Sequence, residues 1–88
     1  MKYYKADNFP IGNIGYIAIR EDGRHRRWIH PDRIYGRSGW IGGWNKTGPL
    51  ERFLVGWHEV SPLEVLVVAG LVPEKVTYYT NTDSLGPR

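Results

Sequence analysis

Cysteine is absent from the 88 residues, which excludes disulfides, thiolate metal sites and cysteine nucleophiles together and fits a small secreted scaffold poorly. Long apolar runs are missing as well. The longest, Val65 to Ala69, is far shorter than a bilayer requires, and the N-terminal Met-Lys-Tyr-Tyr-Lys has none of the apolar character of a secretory signal. The expectation is a cytoplasmic protein with no membrane partner.

Recognisable catalytic patterns are also lacking. His25, His30 and His58 lie near Asp22, Asp32 and Glu59, but no pair of histidines has the i, i+4 spacing that puts two ligands on one helical face. Ser38, Ser61 and Ser84 have no nucleophile-elbow context. The segment Gly43-Trp-Asn-Lys-Thr47 departs from a phosphate loop at Asn45 and Trp40, where glycines are needed for the backbone to approach a phosphate. No catalytic residue, metal or cofactor is therefore expected, and the chain reads as non-enzymatic. Its length supports one small domain over residues 1–82, with 83–88 as a flexible tail.

What the chain has is positive charge, unevenly spread. The formal net charge is +3. Residues 1–48 carry nine basic and four acidic side chains, giving +5, whereas residues 49–88 carry three and five, giving −2. Eight of the twelve Lys and Arg residues lie between Lys2 and Arg37. A basic half of this kind attracts an anionic partner, such as nucleic acid, an acidic protein surface or an anionic lipid surface, and the attraction falls with salt.

Tyr3 and Tyr4 are read as a short edge strand, and Ile14 to Glu21 as a strand rich in β-branched and aromatic residues. Asp22-Gly23 is a strong hairpin signal, with Arg24 to His30 returning antiparallel. A two-residue loop sets Ile17 opposite Trp28, Ile19 opposite Arg26 and Glu21 opposite Arg24. A three-residue loop, Glu21-Asp22-Gly23, sets Arg20 opposite Arg24, which like-charge repulsion disfavours. After the turn at Pro31, a third strand at Arg33 to Tyr35 is expected. The five glycines between Gly36 and Gly48 then argue against a helix, so Trp40 and Trp44 are assigned to a Gly-rich loop.

Beyond Pro49 the spacing of Leu50, Phe53, Leu54 and Trp57 suits a short amphipathic helix, with a strand from Phe53 to Val60 as the alternative. Ser61-Pro62-Leu63-Glu64 is a capping box that starts a helix ended by Gly70 and Pro73. Glu74 to Thr82 is open between helix and strand. The fold class is α+β: an N-terminal antiparallel hairpin or small sheet packed on one or two C-terminal helices. Ile17, Ile19, Trp28, Phe53, Leu54, Trp57, Leu63, Leu66 and Val67 or Val68 are expected to form the core.

Through Ser61, Glu64, Val65, Ala69-Gly70-Leu71, Val76, Thr77 and Asn81, the segment 61–81 resembles the helix-turn-helix of lactose-repressor-type regulators. The resemblance implies a reading helix that turns Glu74, Lys75, Thr77 and Tyr78 toward base edges. A capped core helix followed by a turn is the other account of the same residues. The order of a hairpin (Tyr16 to Arg20, an Asp-Gly turn, Trp28) followed by Glu59-Val-Ser-Pro-Leu-Glu64 and a helix also resembles the layout of small bacterial and phage proteins.

The functional expectation is a binding module that contacts nucleic acid through Arg20, Arg24, His25, Arg26 and Arg27, with Tyr16 as a stacking group and Arg33, Arg37 and Lys46 extending the patch. The alternative is a phage or bacterial modulator that binds a protein through Trp40 and Trp44, with arginines at the rim. A homo-oligomer that pairs strands at the Tyr3 and Tyr4 edge is a third reading.

Overall fold

The computed structural model describes residues 1–8, 12–30 and 39–75. The fold is α+β. Five strands, β1 (Lys2–Ala6), β2 (Gly15–Ile19), β3 (Arg24–Ile29), β4 (Gly39–Lys46) and β5 (His58–Val60), form one antiparallel sheet in the order β4-β3-β2-β1-β5. Two short helices, α1 (Leu50–Phe53) and α2 (Pro62–Val68), pack against it. The strand expected at Arg33 to Tyr35 lies outside the described residues, as do Arg33, Arg37 and residues 76–82.

β2 is the middle strand, and all five of its residues are buried. A strand covered on both sides needs apolar residues at successive positions, which Tyr16-Ile-Ala-Ile19 supplies. Alternation then divides the side chains between two layers. One face carries Tyr3, Tyr16, Ala18, Trp28 and Trp40, closed by Val65 of α2 and by Val72. Ile17 and Ile19 point to the other face, where the Phe53 ring of α1 lies 4.4 Å from that of His25.

The hairpin takes the register that charge repulsion was expected to disfavour. Tyr16 pairs with Trp28, Ile17 with Arg27, Ala18 with Arg26 and Ile19 with His25, and the Arg20 N–H donates to the Arg24 carbonyl at 2.8 Å. The loop is therefore Glu21-Asp22-Gly23. Gly23 sits at φ +85°, the left-handed conformation that closes a three-residue hairpin. Asp22 offsets the repulsion, accepting from Arg20 Nη2 at 2.7 Å and from the Arg24 N–H at 3.0 Å. Shifting the register by one residue exchanges the two faces, so Trp28 joins Tyr16 rather than Ile17.

Three further expectations are corrected. β1 is an interior strand, paired with β2 on one side and β5 on the other, so Tyr3 and Tyr4 present no free edge. Residues 39–46 of the Gly-rich segment are β4, a bulged edge strand and not a loop; its register slips between His25 and Arg27, where Gly42 at φ +70° turns the chain. In the second half, Phe53, Leu54 and Trp57 are half-buried, while Leu63, Leu66, Val67 and Val68 are exposed. Helix α2 is apolar nearly all round, so its pattern does not say which side meets the sheet. Val65 and Ala69, four residues apart, make that contact.

The capped start of α2 is as expected. Ser61 Oγ accepts from the Glu64 N–H at 3.3 Å, and Pro62 occupies the first turn. The Glu64 carboxylate turns to Lys5 Nζ at 3.4 Å, joining the helix to β1. Gly70, at φ +75°, follows the helix end at Ala69. Of the segment that resembles a helix-turn-helix, residues 76–81 lie outside the described part.

Candidate nucleic-acid interface

The nine basic and aromatic residues proposed from sequence do not form one surface. The hairpin register sends Tyr16, Arg20, Arg24 and Arg26 to one face and His25 and Arg27 to the other.

Three members of the set are interior. Arg26 is 1% exposed. Its Nε donates to the Gly42 carbonyl at 3.1 Å, Nη2 to that of Trp40 at 3.2 Å and Nη1 to that of Pro73 at 3.1 Å. The bulge in β4 makes this possible, because it turns two carbonyls of an edge strand toward a neighbouring side chain. Arg26 joins β3, β4 and the chain after α2, and the expectation that it faces a ligand is corrected. Tyr16 is also 1% exposed, with its ring 5.5 Å from Trp28. No base can stack there. Among the described residues its hydroxyl has no partner within hydrogen-bond geometry, and burial, then the charge of Glu64, raise its pKa above the ordinary value.

His25 is buried as well. Its Nδ1 lies 3.1 Å from Thr47 Oγ1. Burial, reinforced by the positive charge of Arg27, pushes the imidazole below its ordinary 6.5, so at neutral pH it carries no charge for a phosphate to meet.

The tryptophans proposed as a protein-binding centre are tied to their own chain. Trp40 is buried, and its Nε1 donates to the Gly70 carbonyl at 2.9 Å. Trp44 Nε1 donates to the Glu74 carbonyl at 3.2 Å. The Trp44 ring serves as a platform for Arg20, whose guanidinium carbon lies 4.5 Å from the ring centre, close enough for a cation–π contact.

Three of the remaining cations meet at one end of the sheet. Arg20 on β2's extension lies opposite Arg24 on β3, and Arg24 lies opposite Lys46 on β4. Arg24 Nη1 reaches the Trp44 carbonyl at 3.4 Å, which leans its side chain toward β4. Asp22 forms an ion pair with Arg20. Arg24, Lys46, Asp22, Gly23, Thr47 and Gly48 rim a shallow depression of about 360 Å³. Arg27 is exposed on the opposite face.

Sequence reasoning missed that Arg20, Arg24 and Lys46 form a row across three strands, and that Trp44 carries Arg20. The available signal was Gly23 preceded by Asp22, which suits a three-residue turn as well as a two-residue one. Among the described residues, no group of three or more His, Asp or Glu side chains is placed to hold a metal. No family model matches the chain, and no curated protein or solved structure matches it.

Proposed function

We propose that the protein is a non-enzymatic module, cytoplasmic and of bacterial or phage type, that binds the phosphate backbone of nucleic acid through Arg20, Arg24 and Lys46 at the tip of the β2–β3 hairpin. One observation carries the reading: three cations stand side by side on adjacent strands, with one carboxylate, Asp22, paired among them. Like charges directly opposite one another in a sheet are destabilising, so a bound anion would relieve a cost that the free protein carries. The tip offers no exposed aromatic for base stacking, and that favours a backbone-reading, sequence-tolerant mode.

The experiment is a titration of labelled duplex and single-stranded DNA at two salt concentrations, with wild type, Arg24→Glu/Lys46→Glu and Arg27→Glu. Binding should weaken with salt, and the double variant should lower the slope of log K against log salt by about two on duplex, one for each phosphate no longer neutralised. Arg27→Glu, on the other face, should change it less. An affinity indifferent to salt, or unaltered by the double reversal, rules the proposal out.

A further inference from the structure

One residue touches both arginines of the cation row. Trp44 lies under the Arg20 guanidinium, its ring centre 4.5 Å from the guanidinium carbon, and its carbonyl accepts from Arg24 Nη1 at 3.4 Å. The indole is itself held, because Nε1 donates to the Glu74 carbonyl at 3.2 Å. The segment that carries this carbonyl is fixed through its own main chain: the Gly70 carbonyl by Trp40 Nε1 at 2.9 Å, the Val72 N–H by Tyr3 Oη at 3.4 Å and the Pro73 carbonyl by Arg26 Nη1 at 3.1 Å. Residues 70–74 are therefore a strap gripped by side chains of β1, β3 and β4, and through Trp44 the strap reaches the hairpin tip.

We propose that Trp44 is the positioning residue of the anion site: held by the strap, its ring sets Arg20 so that the guanidinium fork meets a backbone phosphate where the Asp22 carboxylate now lies. A guanidinium over an aromatic ring is attracted to the ring's face and keeps its in-plane donors for oxygen. Those donors already hold an oxyanion group, since Asp22 Oδ2 accepts from Arg20 Nη2 at 2.7 Å and Oδ1 from Nε at 3.4 Å. Two oxygens of one group on one fork is also how arginine takes a phosphate. A long side chain that is ordered before the ligand arrives is spared most of the entropy cost of being immobilised by it, so the ring acts on affinity through Arg20 and needs no contact with the nucleic acid. The ligand named here rests on the nucleic-acid reading. The placement of Arg20 by the ring, rather than by the carboxylate, does not.

Two measurements on the full chain test it. In the free protein, NMR should find the Arg20 Nε–Hε resonance displaced by the ring current of the indole, with the displacement kept in Asp22→Asn and lost in Trp44→Met. A displacement lost in Asp22→Asn would mean that the carboxylate places the arginine, and it overturns the proposal whatever the protein binds. The second measurement is a double-mutant cycle on the binding of labelled duplex DNA at low salt. Trp44→Met should weaken binding about two- to tenfold when Arg20 is present, Trp44→Phe should weaken it less because it keeps a ring, and neither should matter in the Arg20→Ala background. An equal loss with and without Arg20 would make Trp44 a packing residue only and overturns the proposal as well. Circular dichroism and Tm establish that each variant is folded; should the methionine variant not fold, the phenylalanine variant carries the cycle, with a smaller loss that still depends on Arg20. Wild type that binds no DNA removes the nucleic-acid reading, while a resonance displacement that survives Asp22→Asn still upholds the placement of Arg20 by Trp44, so the two failures are told apart.

Discussion

Arg26 donates through Nη1 to the carbonyl oxygen of Pro73 at 3.1 Å, a contact between residues 47 positions apart in the chain. Two further bonds hold the bulge of β4, so one side chain fixes both the edge of the sheet and the segment that closes the aromatic core. Removing it strips three carbonyls of a donor, that of Trp40 in a buried bond and those of Gly42 and Pro73 in partly buried ones, and a fully buried group left unsatisfied costs about 1–3 kcal/mol. Arg26→Ala should therefore lose about 3 kcal/mol or more in urea unfolding, a large share of what an 88-residue domain possesses. Arg26→Lys should recover little, because a single ammonium cannot span three acceptors set for a planar fork. A lysine variant as stable as wild type would show that charge, and not the fork, is what the site requires.

The strand-rich first half and the capped second helix were legible because each rests on a local signal: alternating β-branched residues in Ile14 to Ile19, Asp-Gly at the turn, Ser-Pro-x-Glu before α2. The candidate site was much less so. Four arginines in eight residues look alike in sequence, and which of them meets solvent depends on a one-residue choice of register that Asp22 settles by pairing with Arg20. The burial of Arg26 also needed the β4 bulge at Gly42 and the return of the chain at Pro73, neither of which is local to it. Over residues 39–48, the described part of the Gly-rich segment, glycine density argued rightly against a helix but hid a strand, because the tryptophans between the glycines supply the packing that makes β4 hold.

His25 makes stability depend on pH in a defined direction. Its folded-state value lies below the ordinary 6.5, so the unfolded chain takes up a proton more readily than the folded one. The associated stability is fully present above about pH 6.5 and is lost as pH falls through the folded value. His25→Asn, which keeps an amide within reach of Thr47, should lose less stability than wild type between pH 7.5 and pH 5.5. Urea unfolding at the two pH values measures this, and equal losses in the two proteins would assign the acid sensitivity elsewhere.

Tyr16 offers the opposite kind of test. Its ring belongs to the core beside Trp28, while its buried hydroxyl has no hydrogen-bond partner among the described residues and so contributes desolvation without a bond in return. Tyr16→Phe should leave stability unchanged or raise it by up to about 1 kcal/mol, whereas Tyr16→Ala should cost about 3–5 kcal/mol as a large-to-small core change. Thermal unfolding of both variants separates the ring from the hydroxyl. A phenylalanine variant clearly weaker than wild type would mean that the hydroxyl is satisfied in solution.

Asp22 ties the stability of the hairpin to the proposed binding, in opposite directions. Its carboxyl is held below the ordinary 3.8 first by the Arg20 guanidinium and then by the Arg24 N–H. The stability it brings is present above about pH 3.8 and is lost as pH falls through the lower folded value. Asp22→Asn keeps an oxygen for the Arg24 N–H but removes the charge that offsets Arg20. The variant should be less stable than wild type at neutral pH, with the gap closing in acid. It should also bind DNA several-fold more tightly at low salt, because Arg20 then faces the phosphates without a competing carboxylate. Weaker folding together with tighter binding is an outcome that general damage to the hairpin would not produce. A variant that loses stability and gains no affinity would take Arg20 out of the contact.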